Sequence, residues 1–198
     1  MSAKQKSVPQ KGTFASNLVE YLEMFVFAVV FVIVVMTFGF RLCQVDGPSM
    51  NQTLSHGERL LISDLFYTPK AGDIIVFHQS GSDVDYYNKP IVKRVIATEG
   101  QYVKIDYAAR AVYVSDDDVF EQDEILNESA YAYYDTGVFK ETLYGTQSAV
   151  FYVPEGRLFV MGDNRNNSAD SRNQHIGMIT EDCVLGKVLL RIAPFTKF

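Results

Sequence analysis

The sequence predicts a mostly-β fold: a membrane-anchored β-domain that carries one transmembrane helix at its N-terminus. An apolar run from Met24 to Phe40 contains no charged residue. After residue 56, short stretches alternate apolar and polar residues with the period of two that a half-buried strand produces. No long amphipathic helix is evident outside the apolar run. The chain of 198 residues is 47 % hydrophobic, which is enough to bury a sizeable core.

The apolar run predicts a single transmembrane helix over residues 20–41. A helix of about 20 residues spans the hydrocarbon core of a bilayer. A core helix of a soluble domain would show a polar face, and this run has none. The apolar part of a cleaved signal peptide is the other alternative, but Thr37-Phe38-Gly39 is a poor match to a small-x-small cleavage site. A retained helix, with the lipid bilayer as its partner, is therefore the prediction.

Charges on the two sides of the run predict its orientation. Only Arg41 follows the run closely. The positive residues that precede it are Lys4, Lys6 and Lys11. Because cytoplasmic flanks are enriched in lysine and arginine, we expect a cytoplasmic tail over residues 1–19 and an extracytoplasmic domain over residues 42–198.

The external domain is predicted to consist of short strands joined by loops. The predicted strand regions are Gly72–Gln79, Pro90–Asp106 with a turn at Glu99-Gly100, Ala109–Ser115, Gly156–Asp163 and Cys183–Phe195. Residues 116–150 are acidic and then tyrosine-rich, and we interpret them as an insertion, solvated or packed on the main sheet, rather than as a binding site. The net charge of −6 argues against nucleic acid as a partner. Cys43 and Cys183 lack the spacing of a metal site and are interpreted as unrelated free thiols, with a disulfide as the alternative.

Ser49 is a candidate nucleophile because it lies in a Gly-Pro turn just after the apolar run. Serine is a weak nucleophile at neutral pH and needs an adjacent base. The usual base is a histidine that is oriented by a carboxylate. The three histidines, His56, His78 and His175, carry no flanking signature. A Ser-His-Asp triad is thus left open without positive support.

Lys93 is the other candidate base. In the predicted strand Ile91–Ile96, Lys93 and Arg94 point to opposite faces, and each lies among apolar side chains. Burial disfavours the charged ammonium and lowers its pKa, so a buried lysine can act as a general base. Arginine stays protonated and cannot. The alternative is that both residues are snorkelling surface cations.

A polar loop, "GDNRNNSADSR" from Gly162 to Arg172, follows the apolar strand "RLFVM". Taken in order, several motifs resemble the bacterial type I signal peptidases over nearly the whole chain. The motifs are the membrane run, Gly47-Pro48-Ser49-Met50 with Thr53-Leu54, "GDIIVF", "KRVIATEG" and "VPEGRLFVMGDNRNNSADSR". The last of these is the most specific.

The resemblance implies a membrane-bound serine endopeptidase with a Ser/Lys dyad. Ser49 matches the nucleophile of the family and Lys93 matches its general base. By the same resemblance, Ser168 hydrogen-bonds the lysine, while Asp170 and Arg172 brace the site. No metal or cofactor is implied.

The implied partners are exported preproteins that carry signal peptides, together with the protein-export translocon. The chain departs from the family pattern at Gly47, where some members have a hydroxyl that serves the oxyanion hole, and at Gln52, where proline is usual. Two alternatives remain: a specialised Ser/Lys peptidase of pilin or conjugative-transfer proteins, and a non-catalytic membrane-anchored domain that only binds peptides.

Overall fold

The computed structural model describes residues 14–79, 89–134 and 148–195. The chain divides into two compact units, Met1–Gly39 and Phe40–Phe198. The described part of the first unit is one helix, α1 (Phe14–Gly39). The second unit contains ten strands within its described residues.

Helix α1 is 26 residues long and contains one stretch, Asn17–Gly39, that is long and apolar enough to cross a membrane. At 1.5 Å per residue, these 23 residues span about 34 Å. The helix begins six residues before the predicted span of 20–41 and ends two residues before its end. The predicted span began later because it was chosen by hydropathy, which leaves out the polar residues at the start of the helix. These residues nevertheless have a helical backbone. The greater part of the predicted tail, residues 1–13, lies outside the described residues.

The second unit is built on an antiparallel seven-stranded sheet with the strand order β1-β2-β10-β3-β4-β8-β9. Its strands are β1 (Arg41–Gln44), β2 (Arg59–Ser63), β3 (Ile74–Phe77), β4 (Ile91–Ala97), β8 (Arg157–Met161), β9 (Ile179–Thr180) and β10 (Val184–Ala193). A smaller antiparallel sheet has the order β6-β5-β7. Its strands are β5 (Tyr102–Asp106), β6 (Ala111–Ser115) and β7 (Ser148–Tyr152).

Strands β3 and β4 lie inside the large sheet, and both faces of these strands are covered. All four residues of β3 are buried. One face packs with β2 and with Met50 and Leu54 from the turn between β1 and β2. The other face packs with β8 and β9, through Leu158, Val160 and Ile179. A continuous apolar pattern is typical of strands that are buried on both faces.

All five predicted strand regions contain strands, so the mostly-β prediction is confirmed. Strands β1, β2 and β9 were not predicted, because each is short and lacks a clear alternation. Strand β7 begins inside the predicted insertion of residues 116–150 and pairs with β5. Of that insertion, residues 135–147 lie outside the described part of the chain.

Candidate active site

The turn between β1 and β2 carries Ser49. Gly47 has a φ of +95°, in the left-handed region that favours glycine, and the chain then passes into Pro48. Met50 and Leu54 are buried, and the Leu54 N–H donates to the Met50 carbonyl oxygen at 2.8 Å. Because these two side chains hold the turn on the core, the half-exposed Ser49 is left lining a cleft.

Lys93 lies in the middle of β4, opposite Ile75 of β3, and is only 2 % exposed. Its Nζ is 2.8 Å from Ser49 Oγ and 2.8 Å from the carbonyl oxygen of Val92. Burial lowers the pKa of Lys93 to about 8, although the Asp170 carboxylate partly offsets this by favouring the charged form. The amine is therefore half neutral at about pH 8, and in its neutral form it can accept the proton of Ser49.

Arg94 points to the other face of β4, as strand alternation predicts. Its Nε and Nη2 donate to the two carboxylate oxygens of Asp163 at 2.8 and 2.7 Å. The guanidinium also lies 4.0 Å from the centre of the Tyr131 ring, at cation–π distance. Both cations are thus largely buried, and the alternative of two snorkelling surface cations is wrong.

The histidine alternative finds no support in the geometry around Ser49. In the part of the chain that the structure describes, Ser49 Oγ makes its hydrogen bond with Lys93, not with a histidine. His56 Nδ1 instead accepts the N–H of Gly47 at 3.1 Å, and its side chain is mostly exposed.

The loop that follows β8 packs directly against the turn that carries Ser49. Gly162 lies so close to Ser49 that a Cβ at this glycine would overlap the Ser49 carbonyl oxygen. The Asn164 N–H donates to that same oxygen at 3.0 Å. Asp163 accepts a 2.5 Å hydrogen bond from Thr53 Oγ1, which joins the loop to the far end of the turn that carries Ser49.

Asp170 and Arg172 form a buried bidentate ion pair with distances of 2.8 Å for Nε to Oδ1 and 2.8 Å for Nη2 to Oδ2. Burial alone would raise the pKa of Asp170, but the Arg172 guanidinium holds it below its ordinary value. Asp170 also accepts the Gly162 N–H at 2.9 Å. The expected hydrogen bond from Ser168 to Lys93 is absent from the described hydrogen bonds of Lys93. Ser168 Oγ is buried and makes no hydrogen bond with any residue that the structure describes.

Sequence analysis missed the residues that hold this loop from outside. The buried Arg165 makes a bidentate ion pair with Glu128. The Tyr133 N–H donates to the Asp163 carbonyl oxygen at 2.7 Å, and the Arg165 N–H donates to the Tyr133 carbonyl oxygen at 2.9 Å. Glu128 and Tyr133 belong to the predicted insertion, so this part of it supports the site. No local sequence pattern links Glu128 to an arginine 37 residues away.

Ser49 and Lys93 line one cleft of about 220 Å³. Its walls are residues 44–50, residues 89–93, Asn167 and Ala169. Among the described residues, no group of three or more His, Cys, Asp or Glu side chains is placed to hold a metal ion. A serine hydroxyl beside a buried amine of lowered pKa, in an open cleft, has the chemistry of a hydrolase that uses lysine in place of histidine.

Comparison with known proteins gives the family. Residues 18–193 match the family described as signal peptidase, peptidase S26. The chain is 34 % identical to signal peptidase IB of Staphylococcus aureus over 190 residues, which cover 92 % of this chain and 93 % of that protein. It is 31 % identical to the probable signal peptidase I-1 of Synechocystis over 164 residues, 78 % of this chain and 71 % of that protein. The chain therefore belongs to the S26 signal peptidase family, and the prediction from its motifs is confirmed.

A crystal structure of a signal peptidase I from Enterococcus faecalis V583 is 25 % identical to the chain. The match covers 62 % of this chain and 98 % of that one, with a TM-score of 0.40. Together with the apolar helix α1, membership of the family fits a membrane-anchored enzyme.

Proposed function

We propose that this protein is a single-pass membrane serine endopeptidase that removes signal peptides from exported preproteins, with Ser49 as the nucleophile and Lys93 as the general base. The observation that supports this most directly is the 2.8 Å distance between Ser49 Oγ and Lys93 Nζ, at a lysine that is 2 % exposed. We infer the substrate class from the names of the relatives, and we infer the roles of Ser49 and Lys93 from this geometry.

Acylation begins when the neutral Lys93 amine takes the proton of Ser49 and Oγ attacks the scissile carbonyl carbon. The carbonyl oxygen becomes an oxyanion that the backbone N–H of Ser49 stabilises. Lys93, now an ammonium, gives its proton to the leaving amine as the C–N bond breaks. The mature protein leaves with the new N-terminus, and the signal peptide remains as an ester on Ser49.

Deacylation uses the same two groups. Neutral Lys93 takes a proton from water, and the resulting hydroxide attacks the ester carbonyl. Lys93 then returns the proton to Ser49 Oγ as the ester breaks, which releases the signal peptide with a free carboxylate. Burial of Lys93 serves both steps, because an amine with a pKa near 8 can be neutral before each attack and still act as an acid afterwards.

The substrate binds as an extended segment in the cleft between residues 44–50 and residues 89–93. The first segment is the end of β1 with the turn that carries Ser49, which we call the nucleophile turn. The second segment is the start of β4 with the two residues before it. Backbone groups at a strand edge can pair with an added peptide strand, which fixes the scissile bond over Ser49 without reading most side chains. By family resemblance, small side chains are accepted at the first and third positions before the cut.

The proposed orientation places the lysine-rich N-terminal tail in the cytoplasm and residues 42–198 outside, close to the bilayer and to the translocon from which preproteins emerge. The lysines before α1 and the uncharged run support this orientation. Protease added to intact spheroplasts should digest the large domain. Full protection of that domain would contradict the orientation.

The function is tested with the full chain purified in detergent and a labelled preprotein. The expected result is one cut that releases the mature protein, located by mass spectrometry of the new N-terminus. Ser49→Ala should bind the preprotein and leave it intact, whereas Cys43→Ser should cleave like the parent. Binding without cleavage by the parent would favour the non-catalytic alternative, and a cut confined to pilin-like substrates would favour the specialised peptidase.

A further inference from the structure

Asn164 holds two consecutive carbonyl groups of the nucleophile turn. Its backbone N–H donates to the Ser49 carbonyl oxygen at 3.0 Å, and its side-chain Nδ2 donates to the Pro48 carbonyl oxygen at 3.1 Å. The residue is 7 % exposed. The opposite orientation of the side-chain amide would set two acceptors against each other, so the chemistry of Pro48 fixes which end of the amide faces it.

The carbonyl of Pro48 belongs to the same peptide unit as the N–H of Ser49. A trans peptide unit is planar, and its C=O and N–H point in opposite directions. A hydrogen bond that fixes the direction of the Pro48 oxygen therefore fixes the direction of the Ser49 N–H. In the described part of the chain, no acceptor takes up that N–H. The Pro48 oxygen also accepts the Asn51 N–H at 3.0 Å, so the turn itself supplies one restraint and Asn164 supplies the other.

The backbone around Asn164 is itself firmly held. Asp163 accepts two hydrogen bonds from Arg94 and one from Thr53. The backbones of Asp163 and Arg165 both pair with Tyr133. Because its two neighbours are restrained from different sides, Asn164 presents its amide from a rigid platform.

We propose that Asn164 is a positioning residue that aims and polarises the backbone N–H of Ser49, the donor to the oxyanion. Hydrogen bonds in a chain strengthen one another, so donation to the Pro48 oxygen makes the Ser49 N–H a better donor. A preorganised donor acts mainly on the transition state, and removing one costs about a hundredfold or more in kcat. The inference rests on the proposed function, because it assigns a role within that reaction.

Two substitutions separate this role from simple packing. Asn164→Asp keeps the shape of the side chain but replaces the donor with an acceptor that repels the Pro48 oxygen. Asn164→Ala removes the side chain, and both variants keep the backbone N–H that holds the Ser49 oxygen. We expect a fall in kcat of about tenfold for Asn164→Ala and more for Asn164→Asp, with KM within about twofold of the parent. Gln174→Glu adds the same charge at an exposed position later in the chain and should keep the parental kcat.

A second measurement detects the oxyanion directly. Ser49 Oγ adds to the carbonyl carbon of a substrate-like peptide aldehyde and forms a hemiacetal. The former aldehyde oxygen then occupies the oxyanion position. The matching peptide alcohol has no such oxygen. Asn164→Ala should weaken binding of the aldehyde about tenfold and leave binding of the alcohol unchanged.

The outcomes are distinguishable. A parent protein that fails to cleave any preprotein would refute the proposed function. If the parent cleaves and both Asn164 variants keep its kcat, the positioning role is refuted. A larger loss in Asn164→Ala than in Asn164→Asp, or equal weakening of aldehyde and alcohol, would mean that the side chain only fills space, which also overturns the inference. Thermal melting of each variant ensures that kcat is compared below its transition.

Discussion

Replacing Lys93 with methionine should abolish cleavage and make the protein more stable at neutral pH. The pKa of Lys93 falls from 10.5 to about 8 because burial penalises its charge. A difference of about 2.5 pKa units corresponds to about 3 kcal/mol at 25 °C. Below pH 8 the amine is protonated in both the folded and the unfolded states, so the folded state bears this cost in full.

The gain in stability from Lys93→Met should depend on pH. Between about pH 8 and 10.5 the unfolded chain binds a proton that the folded chain has lost, so the free energy of unfolding of the parent rises with pH. Above that window both states are neutral and the cost is gone. Lys93→Met carries no charge, fills a similar volume and shows no such rise. Its advantage should therefore be present at pH 7 and vanish by about pH 10.5.

Thermal unfolding of the full chain in detergent measures the difference. The upper limit of about 3 kcal/mol corresponds to a Tm increase of about 10 °C for a chain of this size. Lys93→Met also loses the hydrogen bonds to Ser49 and Val92, and this loss makes the gain in Tm smaller than the upper limit. Lys104→Met is the matched control, because Lys104 is only half-buried and lies over the Tyr113 ring. A Lys93→Met variant with unchanged or lower Tm at pH 7, or with a gain that does not depend on pH, would show that the buried charge of Lys93 does not lower the stability of the protein.

Three further substitutions test the surroundings of the site. Gly162→Ala should lower kcat at least a hundredfold, because its Cβ would overlap the Ser49 carbonyl oxygen; an active variant would show that the turn can shift freely. Glu128→Gln should lower the stability by about 3 kcal/mol in thermal melting, since it leaves the buried Arg165 charge without its partner, and an unchanged Tm would contradict this. Cys43→Ser should keep the parental kcat in the preprotein assay, because the hydrogen bond described for its thiol goes to the Gln44 carbonyl oxygen and not to Ser49 or Lys93; a loss of activity would mean that the thiol takes part in the chemistry.

Strand alternation predicted that Lys93 and Arg94 lie on opposite faces of one strand, and the structure agrees. Alternation alone does not say which face meets Ser49. That depends on the register of β4 against β3 and on the packing of Met50 and Leu54, which bring the turn between β1 and β2 onto the sheet. The resemblance to a family supplied this missing link, because it joins residues that are 44 positions apart.

The contacts of the residues that surround Ser49 and Lys93 were much harder to predict from the sequence. Ser168 was expected to hydrogen-bond Lys93, but its buried hydroxyl makes no hydrogen bond among the described residues. Glu128 lies in an acidic stretch in which solvated carboxylates are the usual outcome. Its burial follows from a tertiary contact with Arg165 that no local period or turn signal encodes.

The pH dependence of kcat/KM shows whether a neutral Lys93 activates Ser49. We expect an acidic limb with an apparent pKa near 8, and cleavage that falls about tenfold for each pH unit below it. Lys93→Arg should be inactive at every pH, because a guanidinium keeps its proton. An acidic limb near the ordinary pKa of histidine, about 6.5, or substantial cleavage by Lys93→Arg, would contradict a role for neutral Lys93 as the base.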